Sequence, residues 1–141
     1  MSEIINKITQ RISEDTIELF KKNDRRYYIE IKPESIKKVA SLLFNELGFR
    51  FITATGMDCE KYFEIIYHFS YDKTGEIVSL RVKLSKEKPE IYSLSSIFSA
   101  AEWIEREIWE MIGINFIGHP NLKHLLLSDD WPDNSYPLRE K

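Results

Sequence analysis

Apolar residues in the first thirty positions follow two different spacings. Four isoleucines recur at helical spacing, and Ser2 before them suits a helix N-cap, which predicts a helix over Glu3–Arg11. Residues 16–20 and 27–31 alternate between apolar and polar instead. Because turn residues separate these two segments, we expect a β-hairpin there.

An amphipathic helix is predicted after this hairpin. Apolar residues between positions 36 and 47 form a stripe of period 3.6, with Pro33 before it and Gly48 after it. Proline near the first turn and glycine after the last one are typical of helix ends. A strand is predicted over residues 49–55, and Gly56 with the two residues after it is expected to form a turn.

Two alternating segments occupy the middle of the chain. Residues 62–71 and 77–84 each place apolar side chains on one face, and residues 72–75 between them have turn composition. This pattern predicts a second hairpin. Helices mixed with hairpins predict an α+β fold, in which helices cover a mostly antiparallel sheet.

A helix predicted over residues 94–112 carries two side chains on unexpected faces. At about 100° per residue, Glu105 falls inside the apolar stripe and Trp103 lies almost opposite it. A carboxylate in an apolar stripe needs a fixed partner, either in a structural pair or, less commonly, in proton transfer. Trp103 is either an interface anchor or is covered by the chain that follows. Glu102, Arg106 and Glu110 are expected to form a solvated ladder.

The end of the chain is rich in proline and apolar residues. Gly118-His119-Pro120 and Trp131-Pro132 cannot continue a helix. We therefore predict a core domain over residues 1–118 and an extended partner-docking tail over 119–141.

Composition excludes several functions. The 141-residue chain suits a single domain, and its net charge of -3 disfavours nucleic-acid binding. One cysteine, Cys59, cannot hold an iron–sulfur cluster, and His119 with His124 does not complete a zinc site. No apolar segment approaches the roughly 20 residues of a membrane span. We expect a cytoplasmic protein without catalytic, cofactor-binding or metal-binding residues of its own.

Residues 101–120 carry a specific resemblance. Their sequence, AEWIEREIWEMIGINFIGHP, resembles the signature of the 30 kDa subunit family of NADH dehydrogenase (complex I): E-R-E, an aromatic, an acid, an apolar pair, G-I, an apolar residue and G-H-P. The similarity continues through Leu122 and Asp130-Trp131 to Pro137-Leu138-Arg139. It marks as signature and partner-binding residues Trp103, Glu105, Arg106, Glu107, Gly113, Phe116, Gly118, His119, Pro120, Trp131, Pro137, Leu138 and Arg139.

The resemblance implies a role within a larger assembly. Members of this family are α+β subunits that are not known to carry cofactors. They dock on a large subunit, which is 49 kDa-like in complex I and holds the nickel–iron centre in related hydrogenases. The implied function is that of a non-catalytic peripheral-arm subunit of NADH-quinone oxidoreductase or of an energy-converting [NiFe] hydrogenase, which positions the large subunit for electron transfer coupled to ion translocation.

The implied partners are the large subunit and the iron–sulfur small subunit, with the membrane reached only through the complex. The alternative hypothesis is a stand-alone enzyme that uses Glu105 or Glu107 as general base and His119 as acid.

Overall fold

The computed structural model describes residues 2–123, 132 and 135–139 of the chain. In chain order its elements are α1 (Glu3–Arg11), β1 (Thr16–Asn23), β2 (Arg26–Ile31), α2 (Ile36–Ser41), β3 (Arg50–Asp58), β4 (Phe63–Tyr71), β5 (Glu76–Leu84), β6 (Glu90–Tyr92), α3 (Ala100–Ile112) and β7 (Asn115–Ile117). None of the helices in the described residues is long and apolar enough to cross a membrane.

Five strands form the main sheet in the order β1-β2-β5-β4-β3. The pairs β1/β2, β3/β4 and β4/β5 are antiparallel, whereas β2 and β5 are parallel. Both predicted hairpins and the predicted α+β class, with a mostly antiparallel sheet, are therefore confirmed. The short parallel pair β6/β7 was not predicted.

The first two helices form as their sequences predict. The side chain of Ser2 accepts a hydrogen bond from the Ile5 amide at 3.3 Å, which caps α1. A 3₁₀ turn at Pro33–Ser35 leads into α2, and a wide π turn at Leu42–Glu46 extends it to the predicted end at Gly48, whose φ is 77°.

One face of the sheet packs against the helices and the other carries paired charges. On the inner face, Ile65, Tyr67 and Phe69 are almost completely buried. On the opposite face, Arg81 contacts Glu64 at 2.9 Å, and Lys83 contacts Glu30 at 3.4 Å. A carboxylate such as Glu64 can be buried on a sheet face because a cation lies within ion-pair distance of it.

The turn predicted at residues 56–58 is wrong, because these residues are the last three of β3. Gly56 serves a contact with another element. A Cβ atom at this position would lie 2.8 Å from Ile108 Cγ2, so the missing side chain lets α3 approach the strand. The cause is a tertiary contact that local turn propensity does not reveal.

The predicted start of the helix at residue 94 is also wrong, since α3 begins at Ala100. The amide of Leu94 donates to Glu105, and the carbonyl of Leu94 accepts from the Ile97 and Phe98 amides in a turn. Serines are frequent in this segment, and their side chains compete with the helical hydrogen bonds. The hydroxyl of Ser93 is one of these, because it bonds to Glu105.

Candidate partner-binding site around helix α3

Glu105 holds the chain segment before α3 against the helix. Its side chain is 0% exposed and accepts hydrogen bonds from the Ser93 hydroxyl at 2.5 Å and the Leu94 amide at 2.8 Å. Burial raises the pKa of Glu105 to about 7, although both hydrogen bonds favour the charged carboxylate. The predicted fixed partner of Glu105 is confirmed, and it is a backbone amide with a serine hydroxyl.

The charge of the same carboxylate affects the pKa of Tyr67. Tyr67 is 1% exposed, and its hydroxyl oxygen has no hydrogen-bond partner among the described residues. Burial, and secondly the charge of Glu105, raises the pKa of Tyr67 well above its usual range. An apolar setting of this kind favours the neutral form of both side chains.

Trp103 lies on the outer side of α3, as the helical spacing predicts. Its side chain is 62% exposed, and the guanidinium of Arg106 lies 5.3 Å from its ring centroid. A guanidinium at this distance is attracted to the face of the indole ring. The described residues leave most of this ring accessible.

The predicted solvated ladder on α3 is wrong. Arg106 is 7% exposed and Glu110 is 1% exposed. For Arg106 the reason is that the segment after β7 passes over it, where the Lys123 carbonyl accepts a hydrogen bond from Arg106 Nε at 3.3 Å. The spacing of residues within the helix does not reveal that another segment of the chain covers this side.

His119 fixes the segment after β7 to the beginning of α3. Its Nε2 lies 2.8 Å from the Glu102 carbonyl, and its Nδ1 accepts a hydrogen bond from the Asn121 amide at 2.9 Å. The proton therefore resides on Nε2, because a carbonyl can only accept and Nδ1 is already an acceptor. Both ring nitrogens serve the fold.

Gly113 ends α3 and makes room for residues near the end of the chain. Its φ is 89°, in the left-handed region that glycine adopts most readily. A Cβ atom there would lie 2.7 Å from atoms of Tyr136 and Arg139. Arg139 Nε donates to the Ile112 carbonyl at 2.5 Å, and the Leu138 amide donates to the Met111 carbonyl at 2.8 Å. These bonds satisfy carbonyls at the helix C-terminus.

The remaining signature residues divide between the interior and the surface. Phe116 is buried, Glu107 is half-buried, and Gly118, Pro120, Pro137 and Leu138 are exposed. Trp131 and His124 lie outside the described residues. Arg139 was expected to contact a partner. In the structure its Nε donates to the Ile112 carbonyl of the same chain. A role of any signature residue in partner binding stays a prediction.

Residues of β3 and α3 together line a groove. Its volume is about 310 Å³, and residues 53–56 line one side of it. The other side includes Ile104, Glu107 and Met111 of α3, with Leu138 also in contact. Sequence reasoning missed this groove, although the helical spacing of these three α3 residues marks one face of the helix.

Two solved structures share this fold. A chain of the membrane-bound sulfane sulfur reductase, an archaeal respiratory membrane complex, aligns with a TM-score of 0.84 and 21% identity, covering 97% of this chain and 82% of that one. The trypsin-resistant fragment of Nqo5 aligns with a TM-score of 0.69 and 20% identity, covering 84% and 96%. The protein therefore has the α+β fold of these two chains.

The sequence comparison identifies the family. The family model described as the 30 kDa subunit of respiratory-chain NADH dehydrogenase matches residues 29–141, so the chain belongs to this family. It is 31% identical over 116 residues to the C subunit of NADH-quinone oxidoreductase from Citrifermentans bemidjiense, covering 79% of this chain and 71% of the relative. It is 45% identical over 89 residues to the C/D subunit from Phocaeicola vulgatus, covering 61% of this chain and 17% of that relative.

Proposed function

We propose that the chain is a non-catalytic peripheral-arm subunit of a complex I-like membrane redox complex. It docks on the large, 49 kDa-like or NiFe-hydrogenase-like subunit and positions it for electron transfer coupled to ion translocation. The iron–sulfur small subunit is the second proposed partner. The chain reaches the cytoplasmic side of the membrane through these subunits.

The observation that carries this proposal is the exposure of Trp103 within the family signature. A 62% exposed indole presents a large apolar ring to a partner, and tryptophan is among the residues that most often anchor interfaces. The guanidinium of Arg106 lies 5.3 Å from the ring centroid, so the ring has a cation–π contact within the chain and one face open to a partner. Trp103 is therefore suited to be the centre of a docking surface.

The neighbouring signature residues support a scaffold rather than an enzyme. Glu105 has no exposed surface, and both ring nitrogens of His119 hold backbone groups. A general acid or base must reach its substrate within hydrogen-bond distance. These two residues are arranged to fix the position of α3 and the segments around it.

A binding measurement with the large subunit from the same organism tests the proposal. We expect Trp103→Ala to weaken the complex by about 30-fold, the loss typical of an interface anchor of about 2 kcal/mol. Phe20→Ala is the matched control, since Phe20 is 55% exposed on β1 at the far edge of the sheet. Equal affinity of both variants and the wild type would remove the basis of the proposal.

A further inference from the structure

Strand β3 is an edge of the main sheet, and the described residues leave one of its hydrogen-bonding sides free. Among the described strands it pairs with β4 alone, and residues 53–58 keep continuous register with that strand. Among the described residues, no backbone group outside β4 bonds to residues 51–57. Every second residue of such a strand directs an unpaired N–H and C=O outward.

The two edges of the sheet differ in their protection. At the other edge, β1 carries Glu18, Lys21 and Lys22 and has two irregularities in its register. Charges and bulges of this kind discourage the addition of another strand. β3 has one irregularity, between Phe51 and Thr53. Residues 53–57 beyond it contain no charged residue, no proline and no irregularity, and Thr53 and Thr55 are exposed. In the described part of the chain, this part of the edge therefore lacks the protection that β1 has.

The groove beside this edge has a shape that suits an added strand. Residues 53–56 form its strand side, and one face of α3 forms its helix side. A segment paired with β3 would direct every second side chain toward α3. These side chains would contact Ile104 and Met111, and the segment would pass Leu138, which is 59% exposed. Apolar side chains fit these positions.

Glu107 adds a charge requirement. It is half-buried and is the charged side chain among the described residues that line the groove. A strand that enters the groove removes water from this carboxylate, which then needs a cation. The complementary side chain is a lysine or an arginine.

We propose that an extended segment of the large partner subunit adds to the free edge of β3, with alternate apolar side chains in the groove and a lysine or arginine against Glu107. This proposal rests on the proposed function and specifies its surface. A second copy of this chain is a poorer occupant, because the one cation of its own β3, Arg50, is already paired with Asp72.

Residue-resolved hydrogen exchange of the full chain tests strand addition, in the free state and bound to the purified large subunit. In the free chain, amides of β3 that face β4 are protected and the alternate ones exchange quickly. In the complex we expect the alternate amides of residues 53–57 to gain at least roughly 100-fold protection, whereas the amides of β1 do not change.

Each other result overturns the proposal in a different way. A complex that forms without new protection in β3 refutes strand addition and leaves the proposed function intact. Failure to form a complex refutes both. Protection that appears in the free chain as its concentration rises identifies a second copy as the occupant.

A charge reversal tests the role of Glu107 separately. We expect Glu107→Lys to weaken binding of the large subunit by about tenfold or more, because it places a cation against a cation. Glu18→Lys is the control, since Glu18 lies on β1 at the opposite edge of the sheet and outside the groove lining. Equal effects of the two variants, with both chains folded by circular dichroism, would refute the charge pairing.

Discussion

Replacing Glu105 by alanine should destabilise the protein far more than the same change at Glu102. Glu105→Ala removes the acceptor of the Leu94 amide at 2.8 Å and of the Ser93 hydroxyl at 2.5 Å, at a site with 0% exposure. A buried donor left without an acceptor costs about 1–3 kcal/mol, and the vacated volume adds a cavity cost. We expect a total loss of about 2–4 kcal/mol.

Glu102→Ala is the control, because Glu102 is half-buried and its contact with His119 uses only the backbone carbonyl. This variant should stay within about 0.5 kcal/mol of the wild type. Urea unfolding at pH 6, monitored by circular dichroism, gives both free energies of unfolding. Equal midpoints for the two variants would show that Glu105 does not hold the segment before α3.

Three further predictions concern packing and pH. Gly113→Ala should lower the free energy of unfolding by about 2 kcal/mol in thermal or urea melts, because φ is 89° there and a Cβ atom would lie 2.7 Å from Tyr136 and Arg139; an unchanged stability would contradict the described contact. Gly56→Ala should cost about 1–3 kcal/mol through overlap with Ile108, while Gly48→Ala, with open space around it, should cost only its φ strain. In the folded chain the pKa of Glu105 is raised to about 7, whereas a glutamate in the unfolded chain has a pKa of about 4.3. The contribution of Glu105 to stability is therefore complete below about pH 4 and declines as the pH rises to about 7, by on the order of 3 kcal/mol. Urea melts from pH 5 to 8 should show the wild type losing stability relative to Glu105→Gln, and parallel curves would refute the raised pKa.

Much of the fold follows from local pattern in the sequence. The helix α1 and both hairpins depend on periodicity, on Ser2 as a cap, and on turn residues that lie next to the elements they connect. The phase of α3 was also predictable, because Glu105 and Trp103 occupy opposite sides of a regular helix. These features need only neighbouring residues.

The errors arise where distant residues determine the structure. In the sequence Gly56 resembles a turn residue, and only the structure shows that Ile108 packs against it. Leu94 has the spacing of a helical residue, but Glu105, eleven positions later, takes its amide. In the sequence Arg106 resembles a surface residue, and only the structure shows its hydrogen bond to the Lys123 carbonyl. Contacts between residues this far apart leave no local periodic signal.

The candidate site was predictable only in part. The family signature names Trp103 and Glu107, but a linear motif does not reveal that Glu107 faces a groove beside β3. The free edge of β3 depends on the strand order, which places this strand last in the sheet. Strand order is a property of the whole fold, so the position of a docking groove follows only once the topology is known.

Affinity purification of the tagged chain from membranes of its own organism tests the proposed function most directly. We predict that the chain brings down the large redox subunit and the iron–sulfur small subunit in stoichiometric amounts, and that Trp103→Ala, but not Phe20→Ala, reduces their recovery. Recovery of the chain alone, as a folded monomer without these subunits, would contradict the proposed function.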